Sequence, residues 1–294
     1  MSLDALRPEP ARAAAPSPGR PAGGTLDDLA RFVSVHSRLL VLTGAGCSTA
    51  SGIPDYRDAA GAWKHARPVS YADFLRSPAV RRRYWARSFV GWPQVARARP
   101  NLAHVGLARL EARGRVVGLV TQNVDGLHQR AGSRRVIDLH GRLDTVECLG
   151  CGARIARADV QTLLRRWNPG LDHLGARLAP DGDAHLEGAL LDTVRVPDCP
   201  ECGSVLKPAV VFFGEGVPRH RVEAATRALH AADALLVVGS SLMVYSAYRF
   251  CLAARSRGRP VAAVNRGRTR ADELLALKVE GDCGSALAAL LARL

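Results

Sequence analysis

Gly44-Ala-Gly-Cys-Ser-Thr-Ala-Ser-Gly-Ile-Pro-Asp-Tyr-Arg57 follows directly on Arg38-Leu-Leu-Val-Leu42, a short apolar run typical of a buried parallel strand. Gly44 and Gly46 allow a tight turn and a close approach of bare backbone to a ligand. Ser48 and Thr49 then suit the start of a helix whose free N–H groups face an anion. Strand, glycine turn and helix start together predict a pyrophosphate site, most simply that of a dinucleotide. The third glycine of the dehydrogenase fingerprint is missing, and Pro54 demands a loop where an ordinary Rossmann helix would continue.

Outward from this stretch the pattern is α/β: a Rossmann-like parallel sheet with helices on both faces, carrying a small inserted zinc-binding module. Thr25 caps a helix in which Leu26, Leu29, Ala30 and Val33 share a face. Tyr71 to Trp92 and Asn101 to Glu111 read as helices, as does the segment over about 218–232. Strands are expected at Arg115–Val120, Val136–Leu139, Ala209–Phe213, Ala234–Val238 and Pro260–Val264. Five apolar runs end in polar or glycine signatures: Gly44-Ala-Gly46, Gln122-Asn-Val-Asp125, His140-Gly141, Gly239-Ser-Ser241 and Asn265. In an open parallel sheet ligands bind outside the carboxyl ends of the strands, so these groups converge on one site.

Residues 1–24, rich in Ala, Pro, Arg and Gly, read as a disordered tail, with a mitochondrial transit peptide as the rival. Residues 25–141 and 208–294 form the nucleotide-binding part, and 142–207 the inserted module. That module holds Cys148-x-x-Cys151 and Cys199-x-x-Cys202, four thiolates that fill a tetrahedral zinc and leave no position for water. Disulfides are the alternative. With no secretory signal expected, metal binding in a reducing compartment is favoured, which suggests the cytoplasm, or the mitochondrial matrix if the tail is a transit peptide. Cys47, Cys251 and Cys283 have no evident base beside them and read as small buried residues.

The 294 residues are 47% hydrophobic, and no apolar run approaches the roughly 18–20 residues that cross a bilayer, so no membrane partner is expected. The net charge of +14 is nearly all arginine, with Lys64, Lys207 and Lys278 the only lysines. Such charge attracts anionic cofactors, acidic substrates or nucleic acid. Arg81–Trp92 mixes arginines and aromatics, but no basic stretch interleaves aromatics as a single-strand binding surface would, so a dedicated nucleic-acid role is set aside.

In order and spacing, the Gly44 stretch, Thr121-Gln-Asn-Val-Asp-Gly-Leu-His128, His140-Gly141, the paired cysteines, Lys207-Pro-Ala-Val-Val-Phe-Phe-Gly-Glu215 and Gly239-Ser-Ser-Leu242 resemble the sirtuins over about residues 26–294. Tyr84–Gln94, Ala179-Pro-Asp-Gly-Asp183 and Val244–Phe250 look most like the class II branch, which contains mitochondrial sirtuin four. The resemblance implies a protein lysine deacylase that consumes NAD as co-substrate and carries one structural zinc. It releases nicotinamide and O-acyl-ADP-ribose, acts on acyl-lysine proteins or peptides, and is expected to be a monomer. His140 is implied as the base for the ribose 2′-hydroxyl, and imidazole suits that task near neutral pH. Asn123, a second implied catalytic residue, orients the reacting ribose with Gln122. The loop residues Gly44, Ala45, Gly46, Cys47, Ser48, Thr49, Pro54, Asp55, Tyr56 and Arg57 are implied to hold the dinucleotide. Ile53 and Asp125 line the nicotinamide pocket, while Gly239, Ser240, Ser241, Asn265, Arg266, Gly267 and Cys283 meet the phosphates, ribose and adenine. Val211, Phe212, Phe213 and Gly214 flank the substrate peptide, which adds as a strand. His128 is expected to pack.

The chain departs from the family pattern at Cys47, Tyr56 and Ser246, the last standing where many sirtuins have proline. Tyr84 and Arg87, one helical turn apart, are either an acyl selector for acidic groups or a plain helix face. Long or carboxylated acyl substrates, and mono-ADP-ribosyl transfer, therefore stay open as alternatives to deacetylation. The rivals outside the family are an NAD-dependent dehydrogenase and a zinc-stabilised nucleic-acid binder.

Overall fold

The computed structural model describes residues 23–64 and 68–294. The tail expected over 1–24 lies, but for its last two residues, outside them. In chain order the elements are α1 (Leu26–Val35), β1 (Leu39–Thr43), α2 (Tyr71–Arg76), α3 (Pro78–Arg97), α4 (Leu102–Ala112), β2 (Val116–Thr121), α5 (Leu127–Arg130) and β3 (Val136–Asp138). There follow β4 (Gly141–Cys148), β5 (Arg154–Ala156), α6 (Arg157–Trp167), β6 (Leu206–Val210), α7 (Arg219–Ala231), β7 (Ala234–Val238), α8 (Tyr245–Ser256), β8 (Val261–Val264), β9 (Leu277–Val279) and α9 (Cys283–Leu291).

Six strands pair in the order β3-β2-β1-β7-β8-β9, every pair parallel. Strand order reverses between β1 and β7, and the switch-point crevice opens beyond their carboxyl ends. Alternation along β1 explains the layers. Leu39 and Val41 pack with Leu29, Val33, Leu107, Leu110, Leu287 and Leu290 of α1, α4 and α9. Leu40 and Leu42 pack with Ala225, Leu229, Phe250 and Cys251 of α7 and α8 on the other face. The helix at Thr25 forms as expected, closed by a capping box with Asp28.

A second, antiparallel sheet runs β5-β4-β6. Its core joins Val160 and Leu164 of α6 to Phe74, Tyr84, Trp85 and Phe89 of α2 and α3. The segment 71–97, which the sequence reading assigned to the nucleotide-binding part, therefore packs on the cysteine module.

Several local expectations change. The single helix expected from Tyr71 breaks at Ser77, whose hydroxyl caps the next helix at Val80 N while Pro78 takes the first position. That helix then runs past Pro93 to Arg97, beyond the expected end at Trp92. The strand expected at Ala209–Phe213 is β6, shifted to Leu206–Val210, and it belongs to the small sheet. No long helix opens at Ser48: the Gly44 stretch forms two single 3-10 turns, Ala45–Cys47 and Thr49–Ser51.

Candidate active site

At the switch point the β1 and β7 loops touch through bare backbone. Gly46 N donates to Gly239 O at 2.9 Å, and a Cβ on Gly44 would lie 2.8 Å from Ser240 Cβ. Both loops open on a cleft of about 400 Å³ that runs between the two sheets. Leu242, on its wall, is held in the left-handed region at φ 57°, a strained setting for a leucine.

Ser48 is the hub of this crevice. Its hydroxyl donates to Asp125 Oδ2 at 2.7 Å and accepts from Asn123 Nδ2 at 3.0 Å. Asn123 Nδ2 also donates to Gly44 O, and Asp125 Oδ1 accepts from Leu127 N, so the carboxylate is fixed from both sides. Behind Ser48 lies His104, with Nε2 3.4 Å from the hydroxyl and Nδ1 accepting from Asn101 N. Sequence reading missed His104, although Asn101 three residues before it has the spacing of a capping box. His128 packs against that ring at 4.8 Å between centroids and bonds Thr43 Oγ1, which is the packing role expected of it. Burial, and then His104, push its pKa down to about 3.

His140 stands on the opposite side of the crevice. Its Nδ1 lies 3.1 Å from Gln122 O, and its Nε2 lies 2.7 Å from Ser246 Oγ. A carbonyl only accepts, so the proton of the neutral ring sits on Nδ1 and Nε2 keeps a bare lone pair. Burial drives the pKa down to about 4, with Arg221 and Arg249 adding to the fall and the Gln122 bond opposing it. The ring is therefore neutral at pH 7 and able to take a proton. Gln122 Nε2 donates to Ser240 Oγ at 2.7 Å, tying this side to the β7 loop.

The cleft collects Ala45, Gly46, Ser48, Ile53, Asp55, Tyr56, Arg57, Gln122, Asn123, Asp125, His140, Gly239, Ser240, Ser241, Asn265 and Arg266, and on the substrate side Tyr84, Val211, Phe212, Phe213 and Gly214. Gly44, Cys47, Thr49, Pro54, Gly267, Cys283 and Arg87 were also expected in the site, but they do not line it. Cys47 and Cys283 are buried, and burial raises both thiols, Cys283 to about 11, so neither is a nucleophile. Arg57 stacks over Trp63 at 4.1 Å and donates to Gly61 O.

The Tyr84–Arg87 pair is split. Tyr84 reaches the cleft and packs on Phe74 and Phe212, whereas Arg87 lies behind the wall opposite Asp181 and Asp183. Burial raises the pKa of both carboxyls. They belong to a hairpin closed by the Leu178–Ala184 bridge, with Ala179 N donating to Asp183 O. Its tip, Pro180-Asp-Gly182, forms part of the cleft lining. Asp181 thus borders this end of the cleft and Arg87 does not.

Lys207 braces the substrate wall. It is 1% exposed and donates to Val210 O at 2.6 Å and Pro208 O at 3.1 Å. Glu215, 3.4 Å from its ammonium, accepts from Phe212 N.

Cys148, Cys151, Cys199 and Cys202 bring four sulfurs within 4.8 Å of one another, with contacts of 3.4 Å for Cys148–Cys202 and 3.7 Å for Cys151–Cys199. Tetrahedral zinc with sulfur at about 2.3 Å has edges of about 3.8 Å. Gly150 N and Cys151 N point at Cys148 Sγ, as donors to a thiolate do. The donor set fits zinc.

Fold and crevice together define a dinucleotide-dependent protein with a neutral imidazole base and a structural four-thiolate metal site. The chain belongs to the Sir2 family, whose profile matches residues 44–246. It is 61% identical over 262 residues to an "NAD-dependent protein deacetylase" of Xanthomonas campestris pv. campestris (strain 8004), covering 89% of each chain. It is 60% identical over 260 residues to "NAD-dependent protein deacetylase 2" of Bradyrhizobium diazoefficiens, covering 88% of this chain and 95% of that one. The solved structure described as "Sir2-p53 peptide-NAD+" superposes with a TM-score of 0.73 at 30% identity, covering 92% of this chain and 98% of the other.

Proposed function

We propose that this chain is an NAD-dependent protein lysine deacylase that releases nicotinamide and O-acyl-ADP-ribose. The observation that carries the reading is the neutral His140 ring, its unprotonated Nε2 facing the Ser246 hydroxyl in a cleft shared with the glycine loop, Asn123 and Asp125. NAD is the co-substrate, with its pyrophosphate against the Gly44 and Gly239 loops. Asp125 accepts from the nicotinamide carboxamide, while Gln122 and Asn123 orient the reacting ribose. The acyl-lysine oxygen displaces nicotinamide, and His140 Nε2 then takes the proton of the 2′-hydroxyl. The four cysteines hold zinc as a brace remote from this chemistry.

The substrate peptide lies as a strand between Val211–Gly214 and the Ser241–Tyr245 segment, both of which border the cleft. Within the family we place the chain nearest the class II branch, because Tyr84, the Pro180–Gly182 tip and Val244–Ser246 all come from the stretches that suggest it. The carboxyl of Asp181 at the acyl end favours uncharged acyl groups over carboxylated ones.

Incubation with NAD and an acetyl-lysine peptide, read by mass spectrometry, tests this. Nicotinamide and O-acetyl-ADP-ribose are expected in equal amounts. His140→Ala should lose on the order of a hundredfold or more in turnover while keeping its fold. Formation of NADH, or full activity in His140→Ala, would overturn the proposal.

A further inference from the structure

The base has one partner that the reaction described so far does not use. Ser246 Oγ lies 2.7 Å from Nε2 of His140, the nitrogen that must take the proton, and Ser246 borders the cleft at the second position of α8. From the geometry we infer that Ser246 is a positioning residue for the base: its hydroxyl holds the imidazole ring in both protonation states. The inference rests on the deacylase reading of the site.

The hydroxyl is suited to this because it is a rotor with one donor and two acceptor sites. In the resting state Nε2 is bare, so Ser246 donates to it. When the ribose 2′-hydroxyl replaces Ser246 as the donor to Nε2, the serine hydroxyl rotates, and once that proton has moved to Nε2 the same oxygen accepts from Nε2–H. The second bond is charge-assisted and is the stronger of the two. Ser246 therefore stabilises the protonated ring more than the neutral one and makes His140 a better base. Gln122 O, which accepts from Nδ1–H, also favours the protonated ring, while Arg221 of α7 and Arg249 of α8 oppose a further positive charge. Arg249 is itself held by its Nε bond to Ser246 O, so the N-terminal turn of α8 sets the hydroxyl and that guanidinium together.

The position also shows that the side chain, not the backbone, is responsible. At the second residue of a helix the N–H has no intrahelical partner, so alanine, threonine and even proline are accepted by the helix. Only threonine keeps a hydroxyl.

The test compares wild type, Ser246→Ala, Ser246→Pro and Ser246→Thr, using an acetyl-lysine peptide with NAD and histidine-selective ¹⁵N NMR. Ser246→Ala and Ser246→Pro should lower kcat for acyl transfer by roughly tenfold, the size of one charge-assisted hydrogen bond, with a smaller change in the KM for NAD. In both, the Nε2 resonance of His140 should move toward that of an unbonded bare nitrogen. Ser246→Thr should restore rate and resonance together. An unmoved Nε2 resonance in Ser246→Ala, or a threonine variant as slow as alanine, would overturn the inference. So would an acyl or ADP-ribosyl adduct on Ser246 in wild type, which would make it a nucleophile instead. The NMR arm needs no turnover: a wild type inert toward NAD and peptide sinks the deacylase reading, whereas an active wild type matched by Ser246→Ala in rate and spectrum sinks only the role of Ser246.

Discussion

Lys207→Met removes a buried cation while keeping most of its apolar stem. The ammonium faces two carbonyls, Val210 O and Pro208 O, and two carboxylates, Glu147 at 3.3 Å and Glu215 at 3.4 Å. Breaking a fully buried ion pair from one side costs about 3–5 kcal/mol. Glu147 and Glu215 keep 33% and 18% of their side-chain surface exposed, so water reaches them and the cost falls toward the lower end. The two carbonyls left behind add about 1 kcal/mol or more each. A total of about 5 kcal/mol is expected, read as a shift in the urea midpoint of the zinc-loaded protein at constant slope. Glu215 also holds Phe212 N, so the KM for peptide should rise. Lys207→Met combined with Glu215→Gln should cost less than the sum of the single changes, by roughly 1 kcal/mol or more, because it leaves one uncompensated charge fewer. A single-variant cost under about 1 kcal/mol, or strict additivity, would refute the assignment of Lys207 as the brace.

Cys199→Ser should lower zinc content and thermal stability together, and undiminished zinc by elemental analysis would contradict the four-thiolate site. Gly91→Ala should destabilise by about 1–3 kcal/mol and alter the preference among acyl chain lengths, since a Cβ there would overlap the backbone of Gly182 and Asp183; an unchanged melting temperature would argue against the docked hairpin. Acid lability should follow the buried histidines. His128, held down to about 3, takes up its proton near pH 6.5 when unfolded, so its contribution is complete above that value and is lost as pH falls toward 3. Measured as wild type minus His128→Asn, which cancels the opposite drift of Asp183, the stability difference should shrink between pH 7 and 5. A constant difference would count against a neutral buried ring.

The parallel sheet was legible because its strands are short apolar runs that end in chemistry-bearing residues. Gln122, Asn123, Asp125, His140, Ser240 and Asn265 meet at one edge because strand tips in a parallel sheet share a side. What stayed hidden depends on packing rather than on pattern. Nothing in Tyr71–Trp92 states that the helices beneath it will join the cysteine module, since an amphipathic face does not name its partner. Helical spacing placed Tyr84 and Arg87 on one side but not the hairpin that comes between Arg87 and the cleft. The helix expected at Ser48 failed because the Ser48 hydroxyl is taken by Asp125, 77 residues away in sequence. His104 went unnoticed because a histidine on an apolar helix face looks like any packed ring until its neighbours are known.

The position of His140 explains why the two sheets must be built as one. β3 pairs in the large sheet up to Asp138, and β4 starts at Gly141 in the small one, so only Leu139 and His140 span the crossing. Leu139 N donates to Thr121 O in the large sheet, while Val211 N donates to His140 O in the small one. The imidazole returns to the large sheet through Gln122 O. The base is thereby clamped by backbone from both sides, and rotation of one sheet against the other would break a bond to the residue that does the proton transfer. Gly141, at φ 85° and hard against Ala209 O, is the residue that lets the chain turn this corner. A side chain there would push β6 away, and with it the Phe212 wall and the Val211 bond. The histidine and the glycine after it therefore act as one device: the first supplies the lone pair, and the second keeps the substrate wall within reach of it.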